Sequence, residues 1–305
     1  MTMFFQNVPR IVVQGITGRE ARMAVRHTIA YGTEICAGVT PGKGGEHVEG
    51  VPVFDTIEAA IRETGGPFDA SVVYVPPFMA LDAVSEAAAN GIRLVLVVTE
   101  NIPVHDAARL LGLAQAQDVC LIGPNSVGVI EPGRRIRLGA IGGEFPDRAF
   151  AQGCVGVMSR SGGLTVELGL QLRLAGLGVS TAISIGGDAM LGNGPAALIR
   201  HFQEDDDTEA VVYVGEAGTR MESDLATTLV ELDGHKPVVA LILGRFIEGF
   251  PKGSVFGHAG AVVNHADDAP STKLQQLANA GALTAETIEE ALEHLSGVLS
   301  RDGRL

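Results

Sequence analysis

One histidine, His258, lies in a loop of small residues within the stretch 252–263. Gly257 and Gly260 stand close on either side, so no bulky side chain crowds the imidazole and the backbone can change direction freely. A histidine in such a loop can accept a reacting group at one position and transfer it at another. A glycine-rich turn that happens to contain a histidine has the same pattern, and the loop alone does not separate the two interpretations.

A carboxylate, Glu216, follows the predicted strand 210–214, one α/β turn before the histidine loop. Pairing with a carboxylate fixes the tautomer of an imidazole and stabilises its protonated form. Glu216 is therefore a candidate to orient His258. A loop carboxylate that faces water is the alternative interpretation of the same residue.

Two strand-to-helix turns have the composition of anion sites, and the first follows a predicted strand at 155–159. Its serines and glycine pair precede a predicted helix at 164–175, whose free backbone N–H groups would face an anion. This pattern favours a phosphate site, although ordinary helix capping by Ser161 explains it equally well. The residues concerned are Ser159, Ser161, Gly162 and Gly163.

The second such turn, residues 15–21, joins the predicted strand 10–14 to an amphipathic helix that runs through Ala30. Its glycine spacing is similar to that of a dinucleotide-binding turn but lacks the G-x-G opening. The next predicted strand, 35–39, ends without the Asp or Glu that a nicotinamide dinucleotide requires at its ribose.

Lys43 stands instead in the glycine loop that follows, where it suits a phosphate on the ribose, such as the 3′-phosphate of coenzyme A. Arg19 and Arg22 would add positive charge beside a pyrophosphate. A plain Rossmann-like turn with solvated basic side chains is the alternative.

The elements that must position these residues alternate regularly between strand and helix. Further strands are predicted at 70–75, 94–98, 120–122, 181–185 and 238–243, and further helices at 78–90, 104–116, 195–203, 271–280 and 285–300. This order predicts an α/β fold with parallel, doubly wound sheets, in which ligands bind at the carboxyl ends of the strands. The segment 131–154 shows no clean periodicity and is interpreted as a linker between units at 1–130 and 155–305.

Composition limits the partners of the protein. The 305 residues are 46% hydrophobic and carry a net charge of −14, which argues against binding to nucleic acid or to an anionic membrane. Three scattered cysteines fit a reducing compartment and give no disulfide or metal framework. The amino-terminal stretch lacks the features of a signal peptide, so we expect a cytoplasmic protein. We also expect no metal site in this chain itself.

Ten ordered motifs resemble those of the α subunit of succinyl-CoA synthetase and its acid–CoA ligase relatives, over nearly the whole chain. They are Gln14-Gly-Ile-Thr-Gly18, Ala30-Tyr-Gly-Thr33, Gly38-Val-Thr-Pro-Gly-Lys-Gly-Gly45, Val51-Pro-Val-Phe54, Thr99-Glu100, Gly123-Pro-Asn125, Ser159-Arg-Ser-Gly162, Ile185-Gly-Gly-Asp188, Gly215-Glu216 and Gly257-His-Ala-Gly-Ala261. The resemblance implies a Rossmann-like CoA-binding domain followed by a flavodoxin-like parallel-sheet domain that carries a phosphohistidine loop.

The resemblance also assigns roles to particular residues. His258 would be phosphorylated on one ring nitrogen while Glu216 holds the other. Coenzyme A would lie on the first domain, against Thr17, Gly18, Arg19, Glu20, Lys43, Thr99, Glu100 and Asn101. ATP or GTP, with Mg²⁺, would bind a separate ATP-grasp β subunit, and the phosphoryl group would pass between an acyl phosphate and His258 before the thiol of coenzyme A attacks the acyl carbon.

The chain departs from the family pattern around the predicted active site. After Asn125 it has Ser126 where the family usually has cysteine, it has Val166 where the family has tyrosine, and Arg220 stands in the turn after Glu216. These departures leave the phosphate relay intact but put succinate in doubt as the acid. We expect Asn125, Val166 and Arg220 to contact a substituted or longer dicarboxylate such as malate, with succinate as the alternative.

Two other classes of protein compete with this interpretation. A nicotinamide oxidoreductase would use the Rossmann-like domain, but Lys43 and the missing acidic residue at the strand end argue against it. A non-catalytic CoA-binding homologue would keep the first domain and lose the histidine loop, whereas His258 and Glu216 are both present.

Overall fold

A computed structural model of the chain describes residues 4–234, 236–251, 254, 263 and 265–301. These residues form two seven-stranded sheets that follow one another along the chain, with helices packed on both. The predicted α/β fold class is confirmed.

The first sheet has the strand order β3-β4-β2-β1-β5-β6-β7, and its pairs are parallel except for β3 with β4. Its strands are β1 (Ile11–Gln14), β2 (Ala37–Val39), β3 (His47–Val48), β4 (Val51–Phe54), β5 (Ala70–Val73), β6 (Leu94–Val97) and β7 (Cys120–Ile122). Its helices are α1 (Arg19–Tyr31), α2 (Ile57–Thr64), α3 (Ala80–Ala89) and α4 (Val104–Ala116).

The second sheet has the order β14-β13-β12-β10-β11-β8-β9, in which β8 pairs antiparallel with both of its neighbours. Its strands are β8 (Gly128–Glu131), β9 (Ile136–Gly139), β10 (Gln152–Ser159), β11 (Val179–Ser184), β12 (Ala210–Glu216), β13 (Val238–Leu243) and β14 (Leu283–Ala285). Its helices are α5 (Gly162–Leu174), α6 (Pro195–Glu204), α7 (Met221–Glu231), α8 (Pro270–Asn279) and α9 (Ile288–Arg301).

The central strands are buried along almost their whole length because helices cover both faces of each sheet. All four residues of β1, β5 and β6 are buried, as are the first six of β12. Their carboxyl ends lie side by side in each sheet, which is where α/β proteins bind ligands.

The segment 131–154, interpreted from the sequence as a linker, contains regular structure. Strand β9 and the end of β8 belong to the second sheet, and the residues between β9 and β10 form a compact turn that buries Phe150. These strands are short and contain arginine and glycine, so they lack the apolar run that marks the central strands. The division into units at residues 130 and 155 stays a prediction.

Two smaller differences concern the carboxyl-terminal part of the chain. Residue 285, predicted to begin the last helix, ends strand β14 instead, and α9 begins at Ile288. Helix α7 was not predicted from the sequence. No helix among the residues described above is long and apolar enough to cross a membrane.

Candidate functional site

The turn between β1 and α1 leaves the start of the helix open to a ligand. Gly15 has a φ of +78°, and a Cβ there would lie 3.0 Å from the backbone of Tyr74, so a larger residue would strain the turn. Gly18 precedes α1 and contributes no side-chain cap. The first N–H groups of the helix therefore remain available, which is the property that an anion requires.

This turn opens onto a cavity of about 1210 Å³ formed by the carboxyl ends of β1, β2, β5 and β6. The lining includes seven of the eight residues predicted to meet coenzyme A: Thr17, Gly18, Arg19, Glu20, Thr99, Glu100 and Asn101. Asn101 adopts a φ of +58°, and the Thr99 hydroxyl donates to the carbonyl of Val75 at 2.7 Å. Residues that are far apart in sequence thus line the same cavity.

Lys43, the eighth predicted residue, is not among those that line the cavity. Its ammonium pairs with the carboxylate of Glu46 at 3.1 Å, and about half of its side chain is exposed. Its backbone N–H donates to Asp55, which does line the cavity. Lys43 therefore stands beside the cavity, with its charge turned to a surface ion pair.

Asn125, in the turn that follows β7, also lines this cavity. Its φ of +58° belongs to the left-handed region, which asparagine tolerates better than most residues. Its side-chain amide donates to the carboxylate of Asp188 at 3.0 Å, and its backbone N–H donates to Thr99. This turn connects the cavity of the first sheet to the strand ends of the second.

The start of α5 packs beside this turn. Gly162 approaches Val127 so closely that a Cβ would lie 2.6 Å from its methyl carbon, and Val127 lines the large cavity. Ser161 caps α5, since its hydroxyl accepts from the N–H of Leu164 at 3.4 Å. The buried Ser159 hydroxyl bonds to the backbone of Ser161. The capping role of Ser161 is therefore observed, and phosphate binding by this turn stays a prediction.

Glu216 ends β12, where a buried arginine meets its carboxylate. Arg160, only 2% exposed, lies 2.7 Å from Glu216 through one terminal nitrogen and donates through the other to the carbonyl of Asp188 at 2.9 Å. The opposite charges attract at this distance, and the contact with Asp188 anchors the guanidinium, so Arg160 restricts the position of the Glu216 carboxylate.

A buried lysine supports the turn that follows Glu216. The Lys273 ammonium donates to the carbonyls of Glu216 and Gly218 and pairs with the carboxylate of Glu222 at 2.6 Å. Glu222 also accepts from the hydroxyl of Tyr213 at 2.7 Å. Burial and the neighbouring Glu222 raise the pKa of Tyr213 well above its ordinary value, so the phenol stays a donor. The charge of Lys273 is satisfied entirely inside the protein.

His258 lies outside the described residues, and so does most of its loop. The described segments on either side reach the turn that follows Glu216. Gly244, before the loop, lies against Ala217, and the carbonyl of Asp268, after the loop, accepts from the N–H of Gly218 at 3.0 Å.

The two remaining substrate candidates belong to other elements than Asn125. Val166 is half-buried on α5 and packs against the apolar cluster between that helix and the second sheet. Arg220 is exposed at the start of α7. Neither residue is among those that line the large cavity. Among the described residues, no group of three or more His, Cys, Asp or Glu side chains is arranged to hold a metal ion.

Sequence reasoning did not assign a role to Arg160, Asp188 or Lys273. The first two stand inside motifs that resemble the family pattern, but a motif does not show the contacts that its side chains make. Lys273 lies in an ordinary helical segment, and nothing in the sequence distinguishes it from a surface lysine. Burial and partners, which only the fold provides, separate the two cases.

Comparison with family models assigns this α/β fold to the class of CoA-binding proteins. A family model described as a CoA binding domain matches residues 7–101, and one described as a succinyl-CoA ligase like flavodoxin domain matches residues 152–297. The succinate–CoA ligase [ADP-forming] subunit alpha 1 of Archaeoglobus fulgidus is 42% identical, with 95% of this chain and 96% of that protein covered. The chain belongs to the succinyl-CoA ligase α subunit family.

The relatives are not uniform in the acid that their names specify. A subunit of an ADP-forming sulfoacetate–CoA ligase from an Acholeplasma species is 37% identical, with 94% of each chain covered. Among solved structures, ATP citrate lyase from Methanothrix soehngenii, in complex with citrate and coenzyme A, has a TM-score of 0.89 and 23% identity. The present chain is covered completely and spans about half, 52%, of that longer chain, so this likeness is evidence of the fold alone.

Proposed function

We propose that this chain is the α subunit of a nucleotide-dependent acid–CoA ligase, which forms an acyl-CoA thioester by way of an acyl phosphate and a phosphohistidine. The observation that carries this proposal is the position of Glu216. Its carboxylate is held by Arg160 at the end of β12, and the described segments on both sides of the His258 loop contact the next turn.

Coenzyme A would occupy the large cavity. The open start of α1 at Gly18 and Arg19 suits its phosphates, because free backbone N–H groups and a guanidinium both favour an anion. Thr17, Glu20 and the turn Thr99, Glu100 and Asn101 would hold the rest of the molecule. Lys43 would reach the 3′-phosphate only by leaving Glu46. Bound coenzyme A would supply the thiol that attacks the acyl carbon and displaces phosphate.

His258 would carry the phosphoryl group between the two halves of the reaction. One ring nitrogen attacks the γ-phosphorus of the nucleotide, and the bond to the nucleoside diphosphate, which leaves, breaks. The nitrogen later passes this phosphoryl group to a carboxylate oxygen of the acid, which gives the acyl phosphate. Glu216 would accept a hydrogen bond from the other ring nitrogen, which keeps the attacking nitrogen unprotonated and stabilises the ring as it gains charge. Arg160 would prevent Glu216 from turning away.

The turn at the start of α5 would stabilise the phosphorylated ring. Ser161, Gly162 and Gly163 precede or begin the helix, and Ser159 braces the turn from within. The amino-terminal end of a helix stabilises an anion by about 0.3–2 kcal/mol. The stabilisation from a single helix is small, so we expect the partner subunit to supply a second positive contact to the phosphorylated ring.

A β subunit with an ATP-grasp fold would complete the enzyme in the cytoplasm. Relatives whose names specify an alpha subunit of an ADP-forming ligase support this division of labour and favour ATP over GTP. Magnesium would accompany the nucleotide on the β subunit. The unit 1–130 would then bind coenzyme A, and the unit 155–305 would carry the relay.

The acid would be a short dianion. Succinate and sulfoacetate, which appear in the names of two relatives, both carry two negative groups separated by a short carbon chain. Arg220, exposed near Glu216, offers a guanidinium for the second group, and Val166 leaves more space than the tyrosine usual in the family. We therefore propose a substituted dicarboxylate such as malate, with Asn125 near the reacting carboxyl group.

The test is a substrate panel with the co-expressed α and β subunits. Thioester formation from succinate, malate, itaconate, citrate and sulfoacetate is compared by kcat/KM for wild type and Val166→Tyr. We expect a substituted acid to be used at least as well as succinate, and Val166→Tyr to reverse the order. A preference for succinate that Val166→Tyr leaves unchanged contradicts the assignment of the acid. The absence of any thioester with every acid favours a non-catalytic CoA-binding homologue.

A further inference from the structure

A second arginine, Arg137, is buried without an ion-pair partner among the described residues. It lies on β9, where that strand packs against α1, and only 1% of it is exposed. Among the residues that the structure describes, no Asp or Glu forms an ion pair with it, and none of its three side-chain nitrogens has a hydrogen-bond partner. Arg160, the other fully buried arginine, is by contrast paired with Glu216.

Arg137 cannot avoid the free-energy cost of burying its charge by losing a proton. Burial lowers the pKa of Arg137, but the intrinsic value for guanidinium is so high that it remains protonated at any physiological pH. A buried charge requires a partner of the opposite sign, because desolvation of an isolated ion is severely unfavourable. A neutral partner such as water alone would leave the positive charge uncompensated.

The groups that face Arg137 are donors and apolar side chains. Arg137 and Tyr74 line a cavity of about 10 Å³, which has room for about one water-sized particle. The hydroxyl oxygen of Tyr74 is buried and has no partner among the described residues, and the same holds for the hydroxyl of Tyr31. Thr28 and apolar residues of β1 and α1 complete the wall.

The two tyrosine hydroxyls remain protonated in this setting. Burial raises the pKa of Tyr74, and burial together with the nearby Asp147 raises that of Tyr31 to about 12, while Arg137 opposes both changes. Both phenols are therefore hydrogen-bond donors without an acceptor in the part of the chain that the structure describes. A guanidinium and a phenol that border a space for a single particle, both without partners among the described residues, have the chemistry of an anion site.

We propose that Arg137 and Tyr74 bind one monatomic anion, of which chloride is the physiological representative, at the junction between the two sheets. The guanidinium supplies the charge, and the Tyr74 hydroxyl supplies a second hydrogen bond. The ion would join β9 of the second sheet to Tyr74, the residue that follows β5 of the first. Tyr74 also lines the large cavity, so the ion lies directly behind the wall of the candidate ligand site.

Bromide provides a direct structural test, because its anomalous scattering distinguishes it from water. Crystals of the full-length chain grown with sodium bromide should show an anomalous peak within hydrogen-bond distance of the Arg137 guanidinium. The same experiment on Arg137→Met, which keeps the length of the side chain without its charge, should show no peak there. A wild-type crystal with only water beside Arg137 overturns the proposal.

Thermal unfolding gives an independent measure in solution. Replacing sodium gluconate by sodium chloride at equal ionic strength should raise the Tm of the wild type by about 2–4 °C, since a ligand that binds only the folded state stabilises it. Arg109→Met removes an exposed charge from α4 and should keep this response. Arg137→Met should lose the response, and an equal response in that variant contradicts the site.

Tyr74→Phe covers the case in which Arg137→Met does not fold. It removes one hydroxyl and no charge, and it should reduce the rise in Tm with chloride, whereas the control Arg109→Met should keep the full rise. A full chloride response in Tyr74→Phe excludes Tyr74 as a ligand and overturns the site as proposed.

Discussion

Arg19 and Lys43, the two basic residues predicted to meet coenzyme A, differ in their surroundings. Arg19 begins α1 and lines the large cavity, whereas Lys43 stands beside it with its ammonium on Glu46. A charge-assisted hydrogen bond to a phosphate contributes about 1.5–3 kcal/mol, which corresponds to about a 10- to 150-fold change in affinity. The geometry therefore makes different predictions for the two side chains.

Arg19→Ala should weaken coenzyme A and dephospho-coenzyme A by similar factors, because it would lose a contact with the pyrophosphate that both ligands carry. Lys43→Ala should weaken coenzyme A more than dephospho-coenzyme A, because only the former has a 3′-phosphate. Titration calorimetry of both ligands measures the two ratios. Equal losses for Lys43→Ala would indicate that this lysine stays with Glu46 in the complex.

Arg160 has a measurable role in the unliganded protein. Removing one partner of a buried ion pair leaves the other charge without compensation, at a cost of about 3–5 kcal/mol. The Glu216 side chain is 16% exposed, so part of its charge is still solvated. We therefore expect Arg160→Met to lower the free energy of unfolding by about 3 kcal/mol, the lower end of that range. Urea denaturation measures the change.

Two further variants make this a specific test. The double variant Arg160→Met, Glu216→Gln should lose less unfolding free energy than the sum of the losses in the two single variants, because it leaves no carboxylate unpaired. Arg200→Met removes half of the exposed pair with Glu231 and should cost less than about 1 kcal/mol. Strict additivity in the double variant would contradict the proposed interaction between Arg160 and Glu216.

At the scale of elements, strand β8 ends in a carboxylate with an unusual pKa. Burial raises the pKa of Glu131 from 4.5 to about 7, although Arg134 lies 3.1 Å away and opposes the change. Between these two pH values, the folded state binds a proton that the unfolded state has lost. Stability from this group is therefore fully present below pH 4.5 and is lost as the pH rises towards 7.

Glu131→Gln should remove this slope, since the amide does not titrate. The difference in unfolding free energy between wild type and variant should change by up to about 3 kcal/mol between pH 4.5 and 7.5, in the direction that favours the variant at high pH. Glu58→Gln, on the exposed surface of α2, is the matched control and should leave the profile unchanged. Parallel profiles for wild type and Glu131→Gln would contradict the raised pKa.

The central strands and most helices could be predicted from the sequence, and the edge of the second sheet could not. Strands such as β6 and β13 are unbroken apolar runs because the sheet is covered on both faces. Strand β9 contains Arg137 and ends in Gly139, so its four residues have no recognisable pattern. Its position depends on pairing with β8, a contact that a single sequence does not reveal.

At the scale of the whole molecule, the candidate site is an assembly of strand ends from both sheets. The sequence motifs identified seven of the residues that line the cavity, because these residues follow predicted strands at their carboxyl ends. They did not reveal that Asn125 and Asp188 connect the two sheets, or that Arg160 joins Asp188 to Glu216. These contacts depend on how the sheets pack together, which local patterns do not encode.

The central claim is that His258 carries a phosphoryl group, and one labelling experiment tests it most directly. The chain, purified with its β subunit and exposed to ATP labelled at the γ-phosphate, should acquire acid-labile phosphate. His258→Asn should abolish both the label and turnover with the fold intact, while His265→Asn should keep the label. Label that persists in His258→Asn, or that maps to His265, would contradict the account.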